Sequence, residues 1–272
     1  MFLASLGAGI IGSIVGIGGG ILVTPVLTLL FGVDIHLAIG ASIVSVIATS
    51  SGAAASYVKD RITNLRVGMF LELATTVGAI TGAAIAAYTN SEILFGLFGI
   101  ILLLSVLPLL RERHEELPEG IQNDSWANRL KLNSTYPDKV LKKEIPYQVT
   151  RSPVGLEMMY VAGLISGLLG IGSGTFKVLG METMMRLPMK VSSTTSNFMI
   201  GVTAAASAGI YFVRGDVNPF IVAPVIFGVL GGAMIGTRLL LRARNITVRY
   251  IFVFVLIGVS IQMLLKAFGL IP

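Results

Sequence analysis

The sequence predicts an all-α polytopic membrane protein built from two inverted repeats of about five helices each, and three observations carry that prediction. Hydrophobic residues make up 54% of the chain and charged residues 12%, with a mean hydropathy of +0.85, too little polar surface to cover a soluble domain of 272 residues. Apolar runs of the ~20 residues that a helix needs to cross a hydrocarbon core recur along the chain. The chain also repeats itself at a fixed offset.

The apolar runs fall at 38–57, 67–88, 91–110, 191–213, 217–241 and 248–269. Outer-membrane strands would show short alternating segments, so these runs are read as helices. A formal charge of +6 does not point to nucleic acid, because the lysines and arginines sit in the short segments between apolar runs. With no cysteine there is no disulfide framework or thiolate chemistry, and two histidines, His36 and His114, do not make a metal site. Met1 leads straight into apolar sequence without the charged region or cleavage site of a signal peptide, so the N-terminus is expected to be retained.

The repeat is carried by "AGIIGSIVGIGGG" at 8–20 and "AGLISGLLGIGSG" at 162–174, which place Gly170 154 residues after Gly16. In the same ungapped frame Ser42 meets Ser196, Thr49 meets Thr203, Tyr57 meets Tyr211, Asn64 meets Asn218, Gly78 meets Gly232 and Gly82 meets Gly236. Agreement of glycine, tyrosine and asparagine in one register implies two homologous halves, 1–110 and 153–272. Between them, 111–152 is rich in both charges, holds the single tryptophan, Trp126, and is interrupted by Pro118, Pro137 and Pro146. It reads as a cytoplasmic linker tethering the halves.

Charge sets the expected orientation. Lys59, Arg61 and Arg66 crowd the turn at 58–66, while the equivalent turn at 212–220 has only Arg214 offset by Asp216. The turn at 89–92 carries only Glu92, whereas its equivalent at 238–249 carries Arg238, Arg242, Arg244 and Arg249. Basic short loops stay inside, so 58–66, the linker, 186–190 and 238–249 are assigned to the cytoplasmic face. The halves then run in opposite directions. Because the linker and Arg186 to Lys190 share one face, residues 153–186 must enter and return, breaking at "GIGSG" into arms of roughly 12–17 residues, too short to span. Residues 2–32 form the matching hairpin from the other face, broken at "GIGGG", and each half counts five helices.

Non-helical backbone at membrane depth is tolerated only in protein or beside a wet cavity, so the two glycine turns are expected to meet near the membrane centre around a site. Arms that start at Gly18, Gly19 and Gly20 and at Gly172, Ser173 and Gly174 present free N–H groups and the positive end of a helix dipole to an anion. Hydroxyl-rich helix starts follow each hairpin, and Ser42, Ser45, Ser196 and Asn197 are candidate neutral donors. Lys177, beside the second turn where the first half has Val23, is a candidate cation in the site. Its alternative is to snorkel to the inner face. Glu72 is a candidate proton-coupling carboxylate, ranked below snorkelling at the inner surface or pairing with Arg66, and Glu182 is expected to pair with Arg186 four residues on. Tight packing is the competing role of the small residues.

Taken together, "GIGGGILVTPVL", "HLAIGASIVSVIATSSGAAAS", the "RITN" turn and the weaker copy "GIGSGTFKVLG…MKVSSTTSNFMIG" resemble the TauE/SafE family of sulfite exporters across both halves. The resemblance carries over Gly16, Gly18 to Gly20, Pro25, Gly40 and Ser42, and their counterparts Gly170, Gly172, Gly174 and Ser196. The second copy departs at Ser173, where a glycine is usual, and at Leu179 and Gly180, where proline is common. The resemblance implies a multi-pass inner-membrane carrier of a small sulfur oxyanion such as sulfite or thiosulfate. The expected function is export by alternating access, with an anion channel, or a carrier of organosulfonates, sulfoacetate or small carboxylates, as the alternatives. The lack of cysteine disfavours the cysteine-dependent thiosulfate importers. No nucleophile, base and orienter set occurs, and "GIGGGI" lacks the Lys-Ser/Thr of a phosphate loop, so neither an enzyme nor a cofactor is expected. The expected partners are the anion and the lipid bilayer, not nucleic acid. The oligomeric state is left open.

Overall fold

The computed structural model describes residues 1–15, 20–59, 62–110, 122–138, 143–240 and 245–271, with the side chains of 13–15, 52–59, 108–110, 237–240 and 245–252 outside the description. The first half folds as α1 (Phe2–Val15), α2 (Gly20–Leu30), α3 (Ile35–Lys59), α4 (Leu65–Tyr88) and α5 (Ser91–Leu110). The second follows as α7 (Ser152–Leu169), α8 (Gly174–Thr183), α9 (Met189–Val213), α10 (Pro219–Leu240) and α11 (Asn245–Ala267). Between them lie α6 (Ser125–Leu130), β1 (Ser134–Asp138) and β2 (Lys143–Tyr147). The six predicted runs coincide with α3, α4, α5, α9, α10 and α11 to within a few residues. Among the described residues four segments, 65–88, 152–169, 189–213 and 219–236, are long and apolar enough to cross a membrane.

The helices keep the register of the repeat. Starts at 20, 35, 65 and 91 in the first half recur at 174, 189, 219 and 245 in the second, each 154 residues on. The packing is exchanged between halves in the same way. Helix α4 packs on α7 as α1 packs on α10, α4 meets α9 as α10 meets α3, and α3 and α5 cross their own counterparts α9 and α11. Outward faces stay apolar: Leu73, Phe220, Phe227 and Phe254 are exposed. A greasy belt of this kind suits lipid rather than water. The chain is a multi-pass membrane protein.

Small residues set the tightest seams. Gly78 and Gly82 on α4 lie against the backbone of α7 at Tyr160 and Leu164, and Gly163 and Gly167 on α7 lie against α4 at Thr75 and Ala79, so closely that an added Cβ would overlap a carbonyl oxygen at each. Gly9, Gly228 and Gly232 make the equivalent seam between α1 and α10. Without a solvent-driven hydrophobic term, helices in lipid associate through such close backbone contact.

One expectation is corrected here. The arm α7 is 18 residues long, enough to span by itself, and of the second hairpin only α8, at 10 residues, is a short arm. The described residues of the linker, 122–138 and 143–151, carry local structure of their own. Asp124 caps α6 by accepting from Ala127 N at 2.6 Å and also accepts from Ser152 N at the start of α7. β1 and β2 pair antiparallel, Ser134 opposite Tyr147, which adds a strand pair to the helical fold. Proline is compatible with a two-stranded ribbon, where each strand has a free edge. Tyr136, Tyr147, Leu132, Ala127 and Val149 are buried in one cluster with Val67 and Leu71 of α4, Met181 of α8 and Val191 of α9. Burial of that apolar surface holds the segment against the helix ends.

Candidate functional site

The second glycine turn is built by three left-handed residues. Gly170 caps α7 at φ 68° with its N–H on Ser166 O at 2.8 Å, Gly172 follows at φ 72°, and Ser173 opens α8 at φ 44°. Glycine adopts this conformation freely and serine only at a cost, which is why the motif is glycine-rich and why Ser173 is the unusual member. Ser173 is 2% exposed, and its Oγ has no hydrogen-bond partner. The N–H groups of the first turn of α8 lie beside it, free of intrahelical partners.

Gly20, the last residue of the first glycine stretch, lies next to it, near Gly170 O. Gly20 is described and begins α2, whereas Gly16, Gly18 and Gly19 lie outside the described residues. Ser42 of α3 joins the two turns: its Oγ is 2.8 Å from Gly20 O and 2.8 Å from Gly170 O. A hydroxyl has one proton, so it serves these carbonyls one at a time. The repeat reproduces half of the contact, with Ser196 of α9 donating to Gly174 O at 3.2 Å. Val46 and Ile200, also equivalent under the offset, flank Gly172, where an added Cβ would lie 3.3 Å from each. The α3 and α9 crossing therefore carries both turns.

The remaining candidates separate. Ser45 Oγ turns back to Ser42 O at 2.7 Å, and Asn197 Nδ2 to Ser193 O at 3.1 Å, each on its own helix. Thr24, one turn into α2, is fully buried with an unpartnered hydroxyl. Sequence reasoning passed over it because a lone threonine in an apolar arm resembles packing.

Charge is arranged differently from either snorkelling expectation. Lys177 has no exposed surface and its Nζ donates to Thr203 Oγ1 at 2.6 Å. Thr203 donates in turn to Glu72 Oε1 at 2.7 Å, and Thr76 reaches the same oxygen at 3.2 Å. Glu72 is 8% exposed and Oε2 is buried without a partner. Arg66, expected beside Glu72, instead donates to Lys131 O in the linker at 3.2 Å. The correction has a geometric cause: Glu72 sits on the face of α4 that meets α9, and helical periodicity turns Arg66 away from it. Thr203 was visible as an identity with Thr49, but nothing in the sequence shows that it bridges two charges.

At the start of α4, beside the linker, Asn64 is a junction. It caps α4 by accepting from Val67 N at 3.0 Å, donates its backbone N–H to Thr195 Oγ1 of α9 at 3.1 Å, and donates through Nδ2 to Leu132 O at 2.8 Å and Tyr147 Oη at 2.7 Å. Burial pushes the Tyr147 phenol up to about 12, with the Asn64 bond acting the other way. Burial also raises the Asp124 carboxyl, but the N–H groups of Ala127 and Ser152 outweigh it and hold the group below the usual aspartate value. Among the described residues no cluster of histidine, aspartate and glutamate is grouped to hold a metal ion.

Comparison with known proteins agrees with this architecture. The family model described as "Sulfite exporter TauE/SafE" matches residues 1–263. Similar chains include the "Probable membrane transporter protein YunE" of Bacillus subtilis (strain 168), 26% identical and covering 94% of this chain and 93% of its own. A second from that organism, the "Probable membrane transporter protein YdhB", is 30% identical over 85% of each chain. The "Probable membrane transporter protein MJ0441" of Methanocaldococcus jannaschii is 27% identical over 74% of this chain and 66% of its own. No solved structure matches the chain. The family match runs through both hairpins, both hydroxyl-bearing helices and the linker, and the chain belongs to the TauE/SafE family of membrane transporters.

Proposed function

We propose that this protein is a secondary carrier for a small sulfur oxyanion, with sulfite or thiosulfate as substrate, working as an exporter in the cell (inner) membrane. The observation that carries the reading is the start of α8. A buried, unpartnered Ser173 hydroxyl stands at the start of α8, beside the N–H groups of a first helical turn that have no intrahelical partner. Tetrahedral oxyanions need several donors, and these are uncompensated until something accepts from them. Gly172 and Gly174 complete the cradle, and Gly18 to Gly20 are its counterpart in the other half. Ser42 and Ser196 hold the turns in place by their carbonyls, and Ser45 and Asn197 support the same helices.

The exchanged packing of the halves supports an inverted 5+5 arrangement, in which two similar bodies rock about the shared turns and open the site to each face alternately. A dianion leaving a negative interior gains about 2.3 kcal/mol per charge per 100 mV, so outward movement is favoured. The test is flux of labelled sulfite and thiosulfate in proteoliposomes with the membrane potential set to each sign, beside Gly172→Val. Saturable flux that follows the potential, shows counterflow and stops in the variant is the expected result. Flux without counterflow means a channel, and no flux under any gradient refutes the sulfur-anion reading.

A further inference from the structure

Neither of the two buried charges, Glu72 of the first half and Lys177 of the second, has a charged counterpart in the other half. The 154-residue shift places Thr49 on Thr203 but Val23 on Lys177, and it places Glu72 on Ile226. Two copies of one fold thus accept either an ion pair or apolar side chains at these positions. Packing does not demand the charges, and a buried ion pair is weak ground for stability. Ionisable groups kept at membrane depth belong to function by default.

The geometry supplies the function. Lys177 lies one turn beyond Ser173, its backbone N–H donating to Ser173 O at 3.1 Å, so the arm that would hold the anion also holds the ammonium. Thr203 links that ammonium to Glu72, whose Oε2 is buried and bonded to nothing. An anion arriving at the start of α8 gives one buried cation two negative neighbours. In a medium of low dielectric that arrangement is relieved when the carboxylate takes a proton. Resting on the carrier reading above, we propose that Glu72 is the coupling-proton site: as the anion binds, one proton from solution adds to Oε2, Lys177 remains an ammonium, and anion and proton move together.

Among the described residues, the pair's hydrogen bonds are to Thr203 and Thr76, and the other titratable groups of the packed helices are placed as follows. On α4, Arg66 faces the linker. On α7, Glu157 and Tyr160 lie elsewhere, with Tyr160 Oη beside Thr81 at 3.3 Å. Glu182 is five residues along α8, and Lys190 and Tyr211 lie toward opposite ends of α9, with Tyr211 Oη on Gly167 O at 2.8 Å. On the neighbouring α3 and α5, His36 bonds Asp34 and Glu92 sits in the first turn.

The experiment uses purified full-length protein and thiosulfate, whose own proton is lost well below neutral pH. Thiosulfate is added in weak buffer while proton uptake and the carboxylic-acid infrared band are followed. The expected result is one proton taken up per anion, a rising carboxylic-acid band, and affinity that tightens about tenfold per unit fall in pH. Glu72→Gln, which keeps a hydrogen-bonding side chain toward Thr203 and Thr76, should bind with affinity independent of pH and take up no proton. If that variant does not fold, the infrared band of the wild type decides alone. Thiosulfate binding with neither proton uptake nor the band overturns the coupling and leaves the carrier intact. A protein that binds neither thiosulfate nor sulfite refutes the carrier reading, and the coupling with it.

Discussion

Replacing Ser42 by alanine and, separately, its counterpart Ser196 by alanine separates two roles for the same residue type. Ser42 Oγ lies 2.8 Å from the carbonyls of Gly20 and Gly170. Gly20 opens α2, so its carbonyl is also placed for an intrahelical bond, whereas Gly170 stands after the end of α7 and its carbonyl has Ser42 as its partner among the described residues. Ser42→Ala therefore strands a buried acceptor, which costs about 1–3 kcal/mol. Ser196 reaches Gly174 O at 3.2 Å, and Gly174 opens α8, so Ser196→Ala removes a longer bond from a carbonyl that keeps its helical partner. That loss is about 0.5 kcal/mol, the low end of a net hydrogen bond. Thermal unfolding in detergent should rank Ser42→Ala well below Ser196→Ala, and anion flux should fall with the stability of the turn. Equal losses would refute the bridging account. Wild-type stability with abolished flux would instead make Ser42 a direct ligand of the anion.

Three further outcomes follow from the packing and the linker. Gly163→Ala and Gly232→Ala each force a Cβ into a neighbouring helix backbone and should lower stability by about 1–3 kcal/mol, whereas Gly209→Ala, which meets nothing within 4 Å, should be neutral or gain about 0.5–1 kcal/mol in thermal unfolding. Asn64→Ala removes the cap of α4, worth about 1 kcal/mol, and releases Leu132 O and Tyr147 Oη, so limited proteolysis should cut within 122–151 sooner than in the wild type. The Asp124 carboxyl has a depressed folded pKa, so its contribution is fully present above the ordinary aspartate value of about 3.9 and is lost as pH falls through the lower folded value. Hydrogen exchange at α6 should quicken over that acid range, and Asp124→Asn should remove most of the dependence.

The membrane class, the spans and the repeat were legible in the residues because they are one-dimensional properties. Hydropathy over 20 residues decides what can leave water, and a register of 154 residues survives as identities such as Asn64 with Asn218 and Thr49 with Thr203. The break at Gly170 to Gly174 was equally plain, since adjacent glycines in an apolar helix have a backbone reason. Pairings across sequence were not legible. Whether Lys177 snorkels or is buried depends on which helix faces it, and only the packing of α4 against α9 brings Glu72 to Thr203. Likewise the linker's composition announced polarity, yet its few apolar residues bury themselves on Val67, Met181 and Val191 once these lie side by side. A side chain's environment is set by residues distant in the chain, and for these charges and this linker only the tertiary structure supplied it.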